Sequence, residues 1–413
     1  MALIVQKYGG TSVGDIDRMR EVADHVARTR RHGNDVVVVV SAMGKETDEL
    51  IRLAGEVSHT PPGREMDMLI TAGERKAMAL LTMALADVGL AAVSLTGSQA
   101  GFMTDATHQN AKILEVRADR IREALSAGTV PVVGGAQGMA TETRDVTFLG
   151  RGGSDTTAVA IAAVLKADVC EIYTDVTGMF TADPRLVPGA RRMARMSFDE
   201  MLEMTATGCP KPAMRAVEFA RNHGVALHVR SAFTWESGTW VKDEEEGAME
   251  QAIISAVTHD TSEAKVTVTR VPDRPGIAAR LFRALADRDV NVDMIVQNTS
   301  VQGTTDISFT VPRRELRAGL EVANSLAPEI GAGEVSADED VARVSLIGAG
   351  MKTNPGVAAT MFETLAANGV NIEMISTSAI RISCVVRAGE VERAVQALHD
   401  VFELGETTVE AGR

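Results

Sequence analysis

Residues 274–295 read RPGIAARLFRALADRDVNVDMI, and residues 354–375 read NPGVAATMFETLAANGVNIEMI. The copies lie 80 residues apart, and Pro275 to Asn291 spans the same distance as Pro355 to Asn371. Each copy predicts a strand, a Pro-Gly turn, an amphipathic helix and a second strand opening on Val-Asn. The first copy is followed by an apolar segment at 305–311 and a helical pattern at 315–326. A βαββαβ unit, used twice, accounts for this pattern. Duplication for packing alone would give such a repeat, but the turn chemistry argues for a ligand. Proline fixes one backbone angle and glycine permits close approach, so a small molecule can sit on the backbone at the helix start. The duplicated Asn-x-Asp/Glu-Met-Ile ends would face that place across the sheet.

Upstream of the repeat, Lys242–Gly247 (KDEEEG) reads as a solvated acidic linker. Before it the pattern changes. Buried strands are expected at 3–6, 35–40, 91–95, 130–134, 169–174 and 226–230, with helices at 17–31, 74–89, 118–127 and 156–167. Strands alternating with helices of this length predict a mostly parallel sheet covered on both faces. Ligands of such sheets sit at the carboxyl ends of the strands. The expected division is therefore 1–241, a linker at 242–264, and two modules at 265–340 and 341–413.

The 413 residues (43.8 kDa) are 45% hydrophobic and 24% charged, the balance of a soluble globular protein. A net charge of −14 opposes phosphate backbones and anionic membranes, so neither nucleic acid nor a membrane surface is an expected partner. Only 3% of residues are aromatic, which leaves few platforms for stacking bases. Cys170, Cys209 and Cys384 fit neither a disulfide framework nor a zinc site, as in a reducing cytoplasm. No apolar run approaches the roughly 20 residues of a membrane span.

Five motifs fall at expected strand ends. Lys7-Tyr8-Gly9-Gly10-Thr11-Ser12 joins exposed backbone N–H groups to a mobile positive charge, as a polyphosphate requires. A tight turn would explain its glycines equally well, and it is not a Walker A loop. Gly150-Arg151-Gly152-Gly153-Ser154-Asp155 precedes an Ala/Val-rich helix. Ser154 or Asp155 would serve as an N-cap, but a cap needs neither Arg151 nor so many glycines, and an anion site is favoured. Thr71-Ala72-Gly73-Glu74-Arg75 is expected to open a helix, Ser41-Ala42-Met43-Gly44 follows a valine run, and Tyr173–Gly178 leads to Thr181–Arg185. Histidines show no metal-ligand spacing, and no Ser/His/Asp arrangement is visible. The expected chemistry is phosphate handling.

With KYGGTSV, VVVVVSAMG, TAGER, GSQAG, ETRDVTFLGRGGSDTTAVA and DVCEIYTDVTGMFTADPR followed by both Pro-Gly repeats, the chain resembles the bacterial aspartate kinases along its whole length. The resemblance implies a three-layer α/β/α amino-acid-kinase domain followed by two ferredoxin-like ACT domains. It implies transfer of the ATP γ-phosphoryl group, with Mg2+, to the β-carboxylate of L-aspartate. By position, Lys7, Tyr8, Gly9 and Gly10 would hold the phosphates. Ser41, Thr47, Glu74, Arg151 and Ser154 would grip aspartate, with Glu74 at the α-ammonium and Arg151 at the α-carboxylate. Asp155 would orient Lys7, and Thr174, Asp175, Phe180, Asp183, Arg185 and Lys211 would line the nucleotide site. Asp273, Pro275, Gly276, Asn291, Gln297, Pro355, Gly356 and Asn371 would bind an amino-acid effector, threonine or lysine. It further implies homo-oligomers through ACT pairing, or a short subunit from an internal start at Met249.

Two departures stand out. Gly208-Cys209-Pro210-Lys211-Pro212 puts a proline where relatives carry the nucleotide-contacting lysine. Either Lys211 takes over on a shifted loop or ATP affinity falls. Ala379 stands where relatives commonly have glutamate, which predicts weaker binding of a cationic effector and altered feedback. A kinase of another carboxylate from the same superfamily and a decayed amino-acid sensor are the rival readings.

Overall fold

The computed structural model describes residues 1–243, 254–298, 303–349, 351, 354 and 356–405. Pro355, Met249 and most of the 242–247 stretch lie outside the described residues. Two compact units emerge. The first holds Met1–Met179, Arg192–Thr205 and the chain from Pro210 to the undescribed stretch; the second holds Phe180–Arg191, Ala206–Cys209 and the chain beyond that stretch.

The first unit is built on an eight-stranded sheet in the order Arg195–Met196, Thr239–Val241, Leu227–Ser231, Val169–Thr174, Leu3–Tyr8, Asp35–Val40, Val130–Gly134, Ala92–Leu95. The last six pair in parallel, and Thr239–Val241 runs antiparallel to Leu227–Ser231. Val36 to Val40 are all fully buried, as a β-branched run covered on both faces must be. Helix Ile16–Arg31 packs on helix Gly63–Asp87, and helix Gly153–Leu165 packs on Met214–His223, which gives three layers. Helix Gly153–Leu165 is buried along its first ten residues, because GSDTTAVAIA is small or apolar on every side.

Beneath the sheet's centre lies a polar cluster that no sequence motif announced. Glu171 accepts from Arg230 (2.8 Å) and from Gln6 Nε2 (2.9 Å), and Tyr173 Oη donates to it at 2.9 Å. A second, four-stranded sheet of three- and four-residue strands (Phe102–Thr104, Ile113–Val116, Gln137–Ala140, Val146–Phe148) was also unforeseen. Strands that short leave no apolar run to read.

The second unit contains two four-stranded antiparallel sheets, ordered Ile295–Gln297, Thr304–Pro312, Glu263–Pro272, Val335–Asp338 and Ala256–Asp260, Val341–Ile347, Arg381–Arg387, Met374–Thr377. The first repeat is complete: helices Ile277–Ala286 and Leu316–Ile330 alternate with its strands as βαββαβ. Among the described residues the second repeat lacks its last strand, and a strand from outside the expected module joins its sheet. Its last described helix is Val391–Val401, and the fourth strand of its sheet is Ala256–Asp260, drawn from the stretch expected to be linker. The first repeat is thus inserted between one strand of the second and the rest. Arg343, 1% exposed, ties the repeats together through Glu263 (3.0 Å), Asp260 (3.6 Å) and Asp293.

Candidate active site

Three chain segments meet at the carboxyl ends of the central strands. Leu3–Tyr8 and Asp35–Val40 run parallel, so Gly9-Gly10 and Ser41-Ala42 emerge side by side, and Ser41 N donates to Tyr8 O at 3.1 Å. A Cβ on Gly10 would lie 2.8 Å from Gly44 O and 2.9 Å from Ala42 O. The two loops therefore touch at backbone level, and only glycine fits. On the other flank Tyr8 pairs with Tyr173, which sets Gly9 beside Tyr173-Thr174.

Lys7 Nζ lies 2.6 Å from Asp155 Oδ1, and both residues are buried, at 7% and 5% exposure. Asp155 Oδ2 accepts from Ala213 N at 3.0 Å. The helix bearing Asp155 is preceded by Gly150 (φ +86°) and capped by Gly152 (φ +75°), left-handed conformations that favour glycine. Neither Ser154 nor Asp155 is the N-cap; the carboxylate of Asp155 is committed to Lys7 and Ala213. Ser154 is buried against Gly135, where a Cβ would come within 2.5 Å of its Oγ.

Glu74 does not open a helix, contrary to expectation. It sits in the middle of Gly63–Asp87. Gly73 is no breaker there: a Cβ would lie 2.8 Å from Ala42 Cβ, so this glycine lets the helix approach the Ser41–Gly44 loop. Glu74 is 3% exposed and its Oε2 has no partner among the described residues. Burial pushes its carboxyl up to about 7; neighbouring Glu46 adds to this, while the backbone N–H groups of Glu74 and Ala42, and Arg75, oppose it.

Arg151 is exposed and pairs with Asp48 at 2.9 Å, and Asp48 shares helix Glu46–Val57 with Thr47. Thr174 ends its strand, and its Oγ1 accepts from Val176 N at 3.0 Å. Lys211 Nζ lies 3.1 Å from Asp175 Oδ1, so the displaced lysine does reach the strand-end segment. Tyr8 corrects another expectation: its side chain is fully buried and stacked on Tyr173 at 4.8 Å, leaving only its backbone at the strand end. Phe180, Asp183 and Arg185 fall in the second unit, where Arg185 forms a two-pronged pair with Asp183 (2.7 and 3.0 Å) and Phe180 packs on the core. The sequence reading passed over Glu46 and gave Ser12 no role beyond closing the Lys7 motif. Ser12 Oγ is buried without a partner among the described residues, as a hydroxyl awaiting an anionic oxygen would be.

The chain matches the amino acid kinase family over residues 2–231, and ACT-domain models match 265–328 and 344–402. The aspartokinase of Mycolicibacterium smegmatis is 54% identical over 418 residues, covering 100% of this chain and 99% of that one. The Corynebacterium glutamicum aspartokinase is 52% identical with the same coverage. This chain belongs to the aspartokinase family. Among solved structures, E. coli aspartokinase III in complex with aspartate and ADP superposes with a TM-score of 0.81 at 25% identity, covering 96% of this chain and 99% of that one. The protein is thus an aspartate kinase, an ATP-dependent phosphotransferase with a carboxyl acceptor.

The aspartokinase's ACT region carries a cavity of about 320 Å³ lined by Asp273, Arg274, Pro275, Gly276, Ile277 and Gln297, among others. Gly276 caps helix Ile277–Ala286 at φ +94°, which explains the glycine of the repeated turn. Asn291 does not line this cavity; its backbone N–H donates to Glu315 at 2.8 Å. Gly356 opens helix Gly356–Ala367 in the second repeat, and Asn371 precedes strand Met374–Thr377. No helix among the described residues is long and apolar enough to cross a membrane.

Proposed function

We propose that this aspartate kinase works by charge placement, with Lys7 as its centre. The β-carboxylate of aspartate has a free pKa of about 3.9, so it is an anion at neutral pH and needs no general base. The obstacle is to bring that anion against a polyanion. One positive charge at about 4 Å, at an effective dielectric near 20, offsets roughly 4 kcal/mol, or about three decades in rate. Lys7 supplies such a charge, and the buried contact with Asp155 is the observation that carries the reading. Asp155 holds the ammonium in place before substrates arrive, so little reorganisation is needed in the transition state.

Gly9, Gly10 and Ser12 make the floor on which the phosphates rest, with Thr174, Asp175 and Lys211 flanking the nucleotide. Glu74 receives the α-ammonium of aspartate, and Arg151, released from Asp48, receives the α-carboxylate, with Ser41, Thr47 and Ser154 completing the grip. Mg2+, arriving with ATP, would neutralise charge on the phosphates. Positioning supplies the remainder.

The second unit reads as the regulatory part. The cavity at Asp273–Gly276 has the size and mixed polarity for threonine or lysine, and Ala379 in place of an acid favours the neutral amino acid. ACT pairing between copies, or with a short subunit starting at Met249, and a cytoplasmic setting complete the proposal. Trapping the acyl phosphate with hydroxylamine tests the function directly. Hydroxamate should form with MgATP and L-aspartate and should fall sharply with close analogues. Its absence, or equal yield with another amino acid, would overturn the assignment.

A further inference from the structure

We infer that Glu46 is a second carboxylate of the substrate's ammonium seat, acting beside Glu74 to select an α-amino acid over a plain dicarboxylate. The inference rests on the role proposed for Glu74. Glu46 is the first residue of helix Glu46–Val57, which packs on the helix that carries Glu74. A Cβ on Gly73 would stand 3.6 Å from both Cγ and Cδ of Glu46, which places the Glu46 side chain against the turn of helix that carries Glu74. One Glu46 oxygen pairs with Lys76 Nζ at 2.6 Å. The other, Oε2, is buried with no partner among the described residues, as is Oε2 of Glu74.

Two buried carboxylate oxygens on adjoining helices, both unmet, are costly to leave empty. An ammonium group matches the pair because it presents three N–H donors and one Glu74 oxygen satisfies only one of them. The charged groups facing the place are Glu74, Arg75 and Lys76 from helix Gly63–Asp87 and Glu46 from its own. Lys76 is half exposed and only partly offsets Glu46. The ammonium of an α-amino acid would meet the two unmatched oxygens, whereas succinate, which lacks it, leaves both unmet. The same arrangement explains why Glu74 holds a proton near neutrality: burial disfavours its charge, and Glu46 opposes it further. Aspartate binding then displaces that proton.

Steady-state kinetics of the full-length enzyme with Glu46→Gln test the inference. The KM for aspartate should rise roughly tenfold, the KM for MgATP should stay within about twofold, and the pH at which the aspartate KM inflects should move down. Competitive inhibition by succinate should not weaken, because succinate never used the seat. An unchanged aspartate KM with an unmoved inflection would overturn the inference, as would succinate weakening in proportion to aspartate. Glu74→Gln separates the two readings. If it raises the aspartate KM while Glu46→Gln is silent, only the role of Glu46 falls; if both are silent, the ammonium seat itself is misplaced.

Discussion

Lys7 Nζ lies 2.6 Å from Asp155 Oδ1, at the point where the central strand ends and the buried helix Gly153–Leu165 begins. Strand and helix together set this contact, since Asp155 is also held by the amide of Ala213. Replacing Lys7 by Met should lower kcat by about three decades. It should also lower stability by about 3–5 kcal/mol, because Asp155 keeps a buried charge without its partner. Hydroxamate formation and thermal unfolding measure the two effects separately. A Lys7→Met enzyme with normal kcat would remove Lys7 from the chemistry.

Glu74 makes stability depend on pH in a direction opposite to that of most carboxylates. Its folded value of about 7 lies above the ordinary 4.5, so the folded chain holds this proton longer than the unfolded chain. The stabilising contribution is complete below about 4.5 and is lost as pH rises through about 7. Without substrates, Glu74→Gln should match the wild type in acid and exceed it above neutrality by up to about 3 kcal/mol. Melting temperatures on both sides of the transition decide this, and a gap that does not grow with pH would refute it.

Glu171 behaves in the opposite sense. Burial alone would raise its carboxyl, but His228, Arg230 and Gln6 outweigh burial and hold it down at about 2. Its contribution is present above the ordinary 4.5 and disappears as pH falls through about 2. Glu171→Gln should destabilise the protein by about 3 kcal/mol at neutral pH, with the half-buried Arg230 deprived of its counter-ion. Urea unfolding at neutral and strongly acid pH should show the deficit closing on acidification.

Gly10→Ala should fold yet turn over poorly. Its Cβ would press on two carbonyl oxygens, at 2.8 and 2.9 Å, and neither backbone segment has an easy way to yield. Overpacking of this kind costs about 1–3 kcal/mol, and here it separates the phosphate floor from the Ser41 loop. A kcat reduced at least tenfold, by the corresponding barrier, with a preserved circular dichroism spectrum is expected.

Lys211→Ala tests whether the lysine beside Asp175 has taken over nucleotide binding. The KM for MgATP should rise about tenfold, the loss of one charge-assisted contact, with the aspartate KM little changed. An unchanged MgATP KM would show that Pro210 has left the nucleotide without this contact.

Features carried by long apolar runs were legible in the sequence. Val36 to Val40 announced a central strand, and Gly150–Thr157 announced a glycine-rich helix start. Features set by contact between distant segments were not. Gly73 looked like a helix boundary because nothing local records its closeness to Ala42. Tyr8 looked like part of a phosphate loop because its stacking on Tyr173 joins two strands far apart in the chain. Glu46 belonged to no motif, since an unmatched oxygen becomes apparent only when the neighbouring helix is in place. Ala256–Asp260 is short, with a polar carboxyl end, and the repeat offered no counterpart ahead of its second copy.

That strand carries a lesson for anyone dissecting the molecule. A fragment cut at 341 would expose one side of Val341–Ile347, a bare edge inviting aggregation with its own kind. A product beginning near Met249 would instead keep both four-stranded sheets intact.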